Sequence, residues 1–337
     1  MGDWIRVWAR AVIAPATRRA LAVWAGAGIV AAVIFGPTSM QPHDLTSLAL
    51  HDPPVGAVLG VTWLLLFVPT ARIVVRADAA LYLRALPHRP WPPRGLAGAA
   101  VVVLQLPWLL LWWFGEGPRG LAVVAAVTVP VVALAAWRPR RAHVRTPRWR
   151  TGSGALRAVY MRALVRKAGD ALVRGLGLAT LAGFAGALFV RNNQLTGVHA
   201  GVLASAVIMV VLVPATIGAL LPLAEAHRGA APLVAALAIP SRGVLATVVA
   251  AVYALAAVLA AAVVVAVTGN LEVVPIALAT ATGAALATTR VVARAPDAAR
   301  IASGAVVAAA ISIVWLGWLG ATGAALAVVT GIVAVLA

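Results

Sequence analysis

Nine carboxylates, six histidines and no cysteine are all that 337 residues offer to acid–base or metal chemistry. Without cysteine the chain can make no disulfide, thiolate metal site, iron–sulfur cluster or cysteine nucleophile. His43-Asp44 and His51-Asp52 place two imidazoles and two carboxylates in one short stretch, and both are zinc-ligand types. No further His or Cys is spaced to complete such a set, so the stretch reads as an ordinary polar loop. "TGSGAL" at 151–156 has the outline of a serine turn or a phosphate loop, but no GK[ST] and no nearby base accompany it. HExxH is absent, which removes zinc proteolysis, and so is the DxxD pairing that Mg²⁺-dependent prenyl transfer requires. The chain is therefore not expected to be an enzyme, to hydrolyse ATP or to hold a cofactor.

The elements that would carry these residues are apolar. The sequence is 63% hydrophobic and 11% charged, against about 25% charged residues in an ordinary soluble protein. Runs near the ~20 residues that a helix needs to cross a bilayer recur from residue 20 onward. They predict an all-α integral membrane protein of about ten transmembrane helices, at 20–36, 55–71, 95–114, 120–137, 174–190, 200–223, 244–267, 271–289, 301–317 and 320–337. Residues 4–19 and 157–173 read as amphipathic helices at the membrane interface, the first of them retained rather than cleaved as a signal.

Basic residues orient the spans. With the N-terminus inside, every Lys and Arg except Arg119 and Arg191 falls on one face, as the positive-inside rule demands of cytoplasmic loops. The expectation is a bacterial inner-membrane protein, multi-pass, with both termini cytoplasmic. A net charge of +18 is then explained by topology and by attraction to anionic lipid, without nucleic acid as a partner. On this topology all nine carboxylates lie in loops or at span ends, so proton coupling at the bilayer midplane is not expected. Trp4, Trp8, Trp91, Trp137 and Trp149 fit an interfacial belt on the basic side, and Trp108, Trp112, Trp113, Trp315 and Trp318 one on the other. In "QLPWLLLWWF", Gln105 and Pro107 add a polar atom and a kink, so an aromatic wall facing a substrate is the alternative to lipid anchoring there.

An internal repeat is also suggested. Pro69, Pro87 and Arg89 recur as Pro222, Pro240 and Arg242, each 153 residues later and in the same topological place. This predicts a parallel 4+4+2 plan: four spans over 1–137, a basic linker and interfacial helix over 138–173, four spans over 174–290, and a loop with a terminal hairpin over 291–337. Within the loop 72–94, "ADAALYLRAL" favours a short helix, with Asp78 at its start, Arg84 near its end and Pro87 as its stop. "GAAPLVAALAI" predicts a second such helix, with Pro232 in its first turn and Pro240 as the stop.

An amphipathic N-terminal helix before the first span, and the cytoplasmic "LRALPHRP" after the second, resemble the permease subunits of ABC-2-type exporters. The likeness covers residues 5–95 and is echoed over 157–250. It implies that residues 77–86 form a coupling helix docking on a separate cytoplasmic ATPase subunit, with Asp78, Leu81, Tyr82, Arg84, Leu86, Pro87 and Arg89 at the contact. By the same resemblance Glu225, Arg228, Leu237, Pro240 and Arg242 belong to a second coupling segment. Such subunits commonly have six spans, and this chain departs from that number; a duplicated plan leaves homodimer and hetero-oligomer both open. The competing expectation is a non-catalytic membrane scaffold whose basic face docks another complex.

Overall fold

The computed structural model describes residues 2–36, 40–78, 94–137, 152–236, 238–294 and 297–336, and the regular elements among them are all helical. Seven helical stretches are long and apolar enough to cross a membrane, so the chain is a multi-pass α-helical membrane protein. It divides into two compact units, Met1–His143 and Val144–Ala337.

The first unit starts with α1 (Gly2–Trp8), a π-helical turn (Ala9–Ile13) and α2 (Ala14–Phe35), which run on without a break. The expected boundary between an interfacial helix ending at 19 and a span starting at 20 is therefore absent. Pro15 explains the wide turn: its ring collides with the carbonyl four residues back, and the turn relieves this by letting the Ala14 N–H reach Ala9 instead. The stretch expected as a loop at 37–54 holds α3 (Pro42–His51). Pro42 sits in its first turn, and the Gln41 N–H donates to Asp44 Oδ2 at 2.8 Å, closing a capping box that offsets the orphan donors of the helix start.

Helix α4 (Pro53–Arg76) packs along α7 (Gly120–Ala136), burying Leu66, Phe67, Thr70 and Val74. Both helices end on the same side, where Arg76 donates from Nε to Ala135 O at 2.8 Å and from Nη2 to Trp137 O. A guanidinium thus satisfies carbonyls at the negative end of α7. The span expected at 95–114 is split into α5 (Arg94–Leu104) and α6 (Leu106–Glu116). The apolar stretch Leu106–Ala136 is likewise two helices, because Gly117 adopts φ +59 and opens a 3₁₀ turn through Arg119. Helices α6 and α7 fold back on each other across that turn.

The second unit begins with α8 (Gly152–Lys167), which breaks at Ala168 before α9 (Gly169–Asn192). The interfacial helix expected over 157–173 is thus shifted towards the N-terminus, and Asp170 belongs to the first turn of the next helix. Helices α9, α10 (Gly197–Ala236), α11 (Ser241–Thr268) and α12 (Val273–Arg294) form a bundle, with α13 (Ala298–Leu319) against α10 and α12 and α14 (Ala321–Leu336) against α12. Close approach is its organising device. A Cβ on Gly175 or Gly183 would strike the backbone of Ala215 or Ala260, so small residues let helices touch where lipid provides no hydrophobic drive.

Helix α10 corrects a further expectation. Its 40 residues span roughly 60 Å at 1.5 Å per residue, about twice the hydrocarbon core. The segment expected as a separate helix over 229–239, with Pro232 in its first turn, instead gives residues 229–236 to the tail of this rod. It ends with the Ile239 N–H reaching back to Val234 O (3.2 Å) around Ala238, whose φ is +49; this is a Schellman-type stop, followed by Pro240.

Candidate functional site

Of the residues expected at the first coupling segment, Asp78 follows the left-handed cap of α4 at Ala77. Leu81, Tyr82, Arg84, Leu86, Pro87 and Arg89 lie outside the described residues, as does Leu237 of the second segment. Glu225, Arg228, Pro240 and Arg242 are described, and all four are exposed at the basic end of the second unit. Glu225 and Arg228 ride on the projecting tail of α10, whereas Pro240 caps α11 and Arg242 occupies its first turn.

That tail is braced. Leu156, Tyr160 and Leu164, four residues apart, form one buried face of α8, which lies across α10 and α11. Burial pushes Tyr160 up to about 12, so its phenol keeps the proton and is held 2.7 Å from His227 Nδ1 on α10. Two turns further along α8, Lys167 Nζ donates to Glu225 Oε2 at 3.1 Å. Glu225 is thus engaged within the chain. Neither Tyr160 nor His227 was singled out from the sequence; the four-residue spacing of apolar residues in "ALRAVYMRALVRK" was the available signal for the buried face.

The other polar centre is the helix break in the first unit. Gln105 takes φ −88, ψ 19, and its N–H shifts to Val102 O at 3.0 Å. The Val101 carbonyl left behind receives the Gln105 side-chain Nε2 at 3.4 Å. Trp108 N–H turns to Gln105 O (2.9 Å), which frees the Leu104 carbonyl, and Trp24 Nε1 of α2 donates to it at 3.0 Å. Gln105, fully buried, also accepts from Trp63 Nε1 at 2.8 Å and donates to Thr128 Oγ1 at 3.2 Å. Trp63 stacks on Trp108 at 5.1 Å and on Phe67 at 5.6 Å. Among the described residues, the indole N–H groups of Trp108 and Trp112 are buried with no hydrogen-bond partner. These tryptophans are only about 3% exposed, so the belt role expected for them gives way to a packed aromatic cluster. In transporters, interrupted helices of this kind occur where backbone polar groups serve a pathway.

In the same unit, His43 and His51 are used locally. His43 Nδ1 sits 2.9 Å from Gly115 O and 3.5 Å from Glu116 Oε1, while Thr46 Oγ1 donates to the same Glu116 oxygen at 2.9 Å. His51 Nδ1 lies 2.7 Å from Ser47 O of its own helix. Asp44 is spent on the cap of α3. Among the described residues no three His, Asp or Glu side chains converge as a metal site would need.

Comparison of the chain with family models, with curated proteins and with solved structures finds no match.

Proposed function

We propose that the chain is the membrane-spanning permease subunit of an ATP-driven exporter, coupling a separate cytoplasmic ATPase to movement of a substrate through the bilayer. The observation that carries this reading is the braced rod. Helix α10 joins the far end of the second unit to a projecting basic end in one uninterrupted element, and α8 fixes its tail through Tyr160–His227 and Lys167–Glu225. A continuous helix of that length links displacement at one end to the other, with Pro214, Pro222 and Pro232 as the points along it where a backbone hydrogen bond is missing. Its tail offers charged side chains and the exposed Leu233 to a partner.

The reading includes ten spans, basic ends in the cytoplasm of a bacterial inner membrane, and duplicated halves. Support for ten comes from pairing α5 with α6 as one interrupted crossing and from taking α2 and α14 as crossings too. Support for duplication comes from packing order: α4 contacts both α2 and α7, as α10 contacts both α9 and α12, and α6 meets α7 as α11 meets α12. The segment 77–93 follows α4 where the tail of α10 follows its membrane portion.

Because the chain has no cysteine, single-cysteine variants give labelling without background. Position 82 and position 235 should both react with an impermeant maleimide only in inverted vesicles. Purification of the full chain from its source membrane should then yield a protein with Walker A and signature motifs, lost on Leu86→Asp. Opposite labelling of the two positions, or stable recovery of a complex without an ATPase, would sink the reading, the latter in favour of a scaffold.

A further inference from the structure

At the basic end of the second unit, Arg242 at the start of α11 and Arg290 and Arg294 at the end of α12 line a single cleft, with Thr289, Ala293 and the α14 residues Ala334 and Val335. Among the described residues no carboxylate lines it. The described carboxylates nearby have other roles: Glu225 pairs with Lys167 at 3.1 Å, and Asp297 caps α13 and pairs with Arg300. The hydroxyl of Thr289 is turned back to Ala285 O at 2.8 Å. Arg294 alone would be explained by the negative end of α12. That explanation does not reach Arg242, which stands in the first turn of α11, where the helix end is itself positive and has no acidic residue or side-chain cap. Three exposed guanidiniums beside a positive helix end concentrate positive potential at the mouth of the cleft, which favours an anion there.

We propose that these three arginines form a site for a phosphate group at the membrane surface, presented by an anionic lipid headgroup or by soluble phosphate. Guanidinium matches phosphate oxygens in paired hydrogen bonds, and basic clefts between helices at this level suit lipid phosphates. The cleft encloses only about 10 Å³, room for about one water, so the phosphate rests at its mouth. All three side chains are exposed there.

The test uses the full chain in detergent, with thermal stabilisation and native mass spectrometry as readouts. The added ligands are phosphatidylglycerol, phosphatidylcholine and inorganic pyrophosphate. Phosphatidylglycerol, but not phosphatidylcholine, should bind and stabilise. The Arg242→Gln/Arg290→Gln/Arg294→Gln variant should bind it tenfold or more weakly, while Arg300→Gln, whose side chain pairs with Asp297, behaves as the native chain. If the triple variant folds poorly, Arg294→Gln alone carries the comparison. Pyrophosphate acting through the same arginines, with no lipid effect, supports the site and names a soluble source. Binding that survives the arginine substitutions, or no binding in either arm, overturns the proposal.

Discussion

Replacing Gln105 with leucine tests whether the break between α5 and α6 is held by side-chain polarity or by Pro107 alone. The substitution keeps the volume and removes three contacts: Trp63 Nε1 at 2.8 Å, Thr128 Oγ1 at 3.2 Å and Val101 O at 3.4 Å. Two of them cross between helices, and such bonds average about 0.6 kcal/mol in a membrane protein, reaching about 1.7. The orphaned indole N–H of Trp63 adds a desolvation penalty of about 1–3 kcal/mol. Gln105→Leu should therefore destabilise the chain by roughly 2–4 kcal/mol. Trp63→Phe also shrinks the ring that stacks on Trp108 and Phe67, so single variants do not isolate the hydrogen bond. A double-mutant cycle does, because the stacking loss appears on both sides. Unfolding in bicelles driven by dodecyl sulfate, followed by circular dichroism, should give a coupling energy of about 0.6–1.7 kcal/mol. A coupling within about 0.3 kcal/mol of zero would mean that Gln105 and Trp63 do not share a bond that matters, and the account of the break would fail.

Gly283→Ala should destabilise by about 1–3 kcal/mol as overpacking, because its added Cβ meets the backbone of Ala327 on α14; Gly317→Ala, with open space around it, should change the thermal midpoint little. Thr280→Val and Thr289→Val should each stay within about 0.5 kcal/mol of the native chain, since both hydroxyls donate to carbonyls of their own helix at 2.7 and 2.8 Å; a larger loss would show a role between helices. Tyr160, raised to about 12 from an unfolded value of about 10, favours the phenol form when folded. Its stabilisation is complete below about pH 10 and is lost as pH rises through about 12, so the phenolate absorbance difference between native chain and Tyr160→Phe should rise near the upper value. A rise near the lower value would refute the docking of α8.

The membrane class of the fold was legible because apolar run length is set by bilayer thickness, and runs such as 244–267 leave no other reading. Where runs are interrupted, local signals competed. "QPHDLTSLALHDP" carries a helix start in Pro42 and Asp44, yet two His-Asp pairs and a lack of basic residues favoured a hydrated loop. "EAHRGAAPLVAA" reads as a break because it holds Arg228, Gly229 and Pro232, but the helix continues through it. An exposed tail at the end of a long rod tolerates a missing N–H more easily than a buried turn does, since water can reach the freed carbonyl. Arg290 and Arg294 were visibly one turn apart. Their convergence with Arg242 is a tertiary fact, created by the packing of α11 on α12, and no spacing along the chain announces it. The same holds for Trp24, whose distant partner Leu104 O exists only because the helix breaks there.

The two units solve the problem of polar groups in lipid in opposite ways. In the second, hydroxyls largely return to carbonyls one turn back on the same helix: Thr216 to Leu212, Thr280 to Ile276, Thr289 to Ala285, Ser312 to Ala308. Contact between helices then rests mainly on packed side chains, with glycine and alanine backbones at the closest approaches and Tyr253 meeting Thr288 between α11 and α12 at 3.3 Å, and separating them forfeits packing all along the interface. In the first, Gln105, Trp63, Trp24 and Arg76 all send hydrogen bonds across to other helices. Such bonds can be exchanged singly, and the buried indole N–H groups of Trp108 and Trp112, unpartnered among the described residues, are spare donors for an acceptor such as the Gln105 carbonyl oxygen. A bistable element needs two packings of similar energy. By that criterion the hydrogen bonds at the α5–α6 break can be changed one at a time, whereas a Cβ added at a close approach in the second unit, as at Gly283 or Gly323, has backbone in its way.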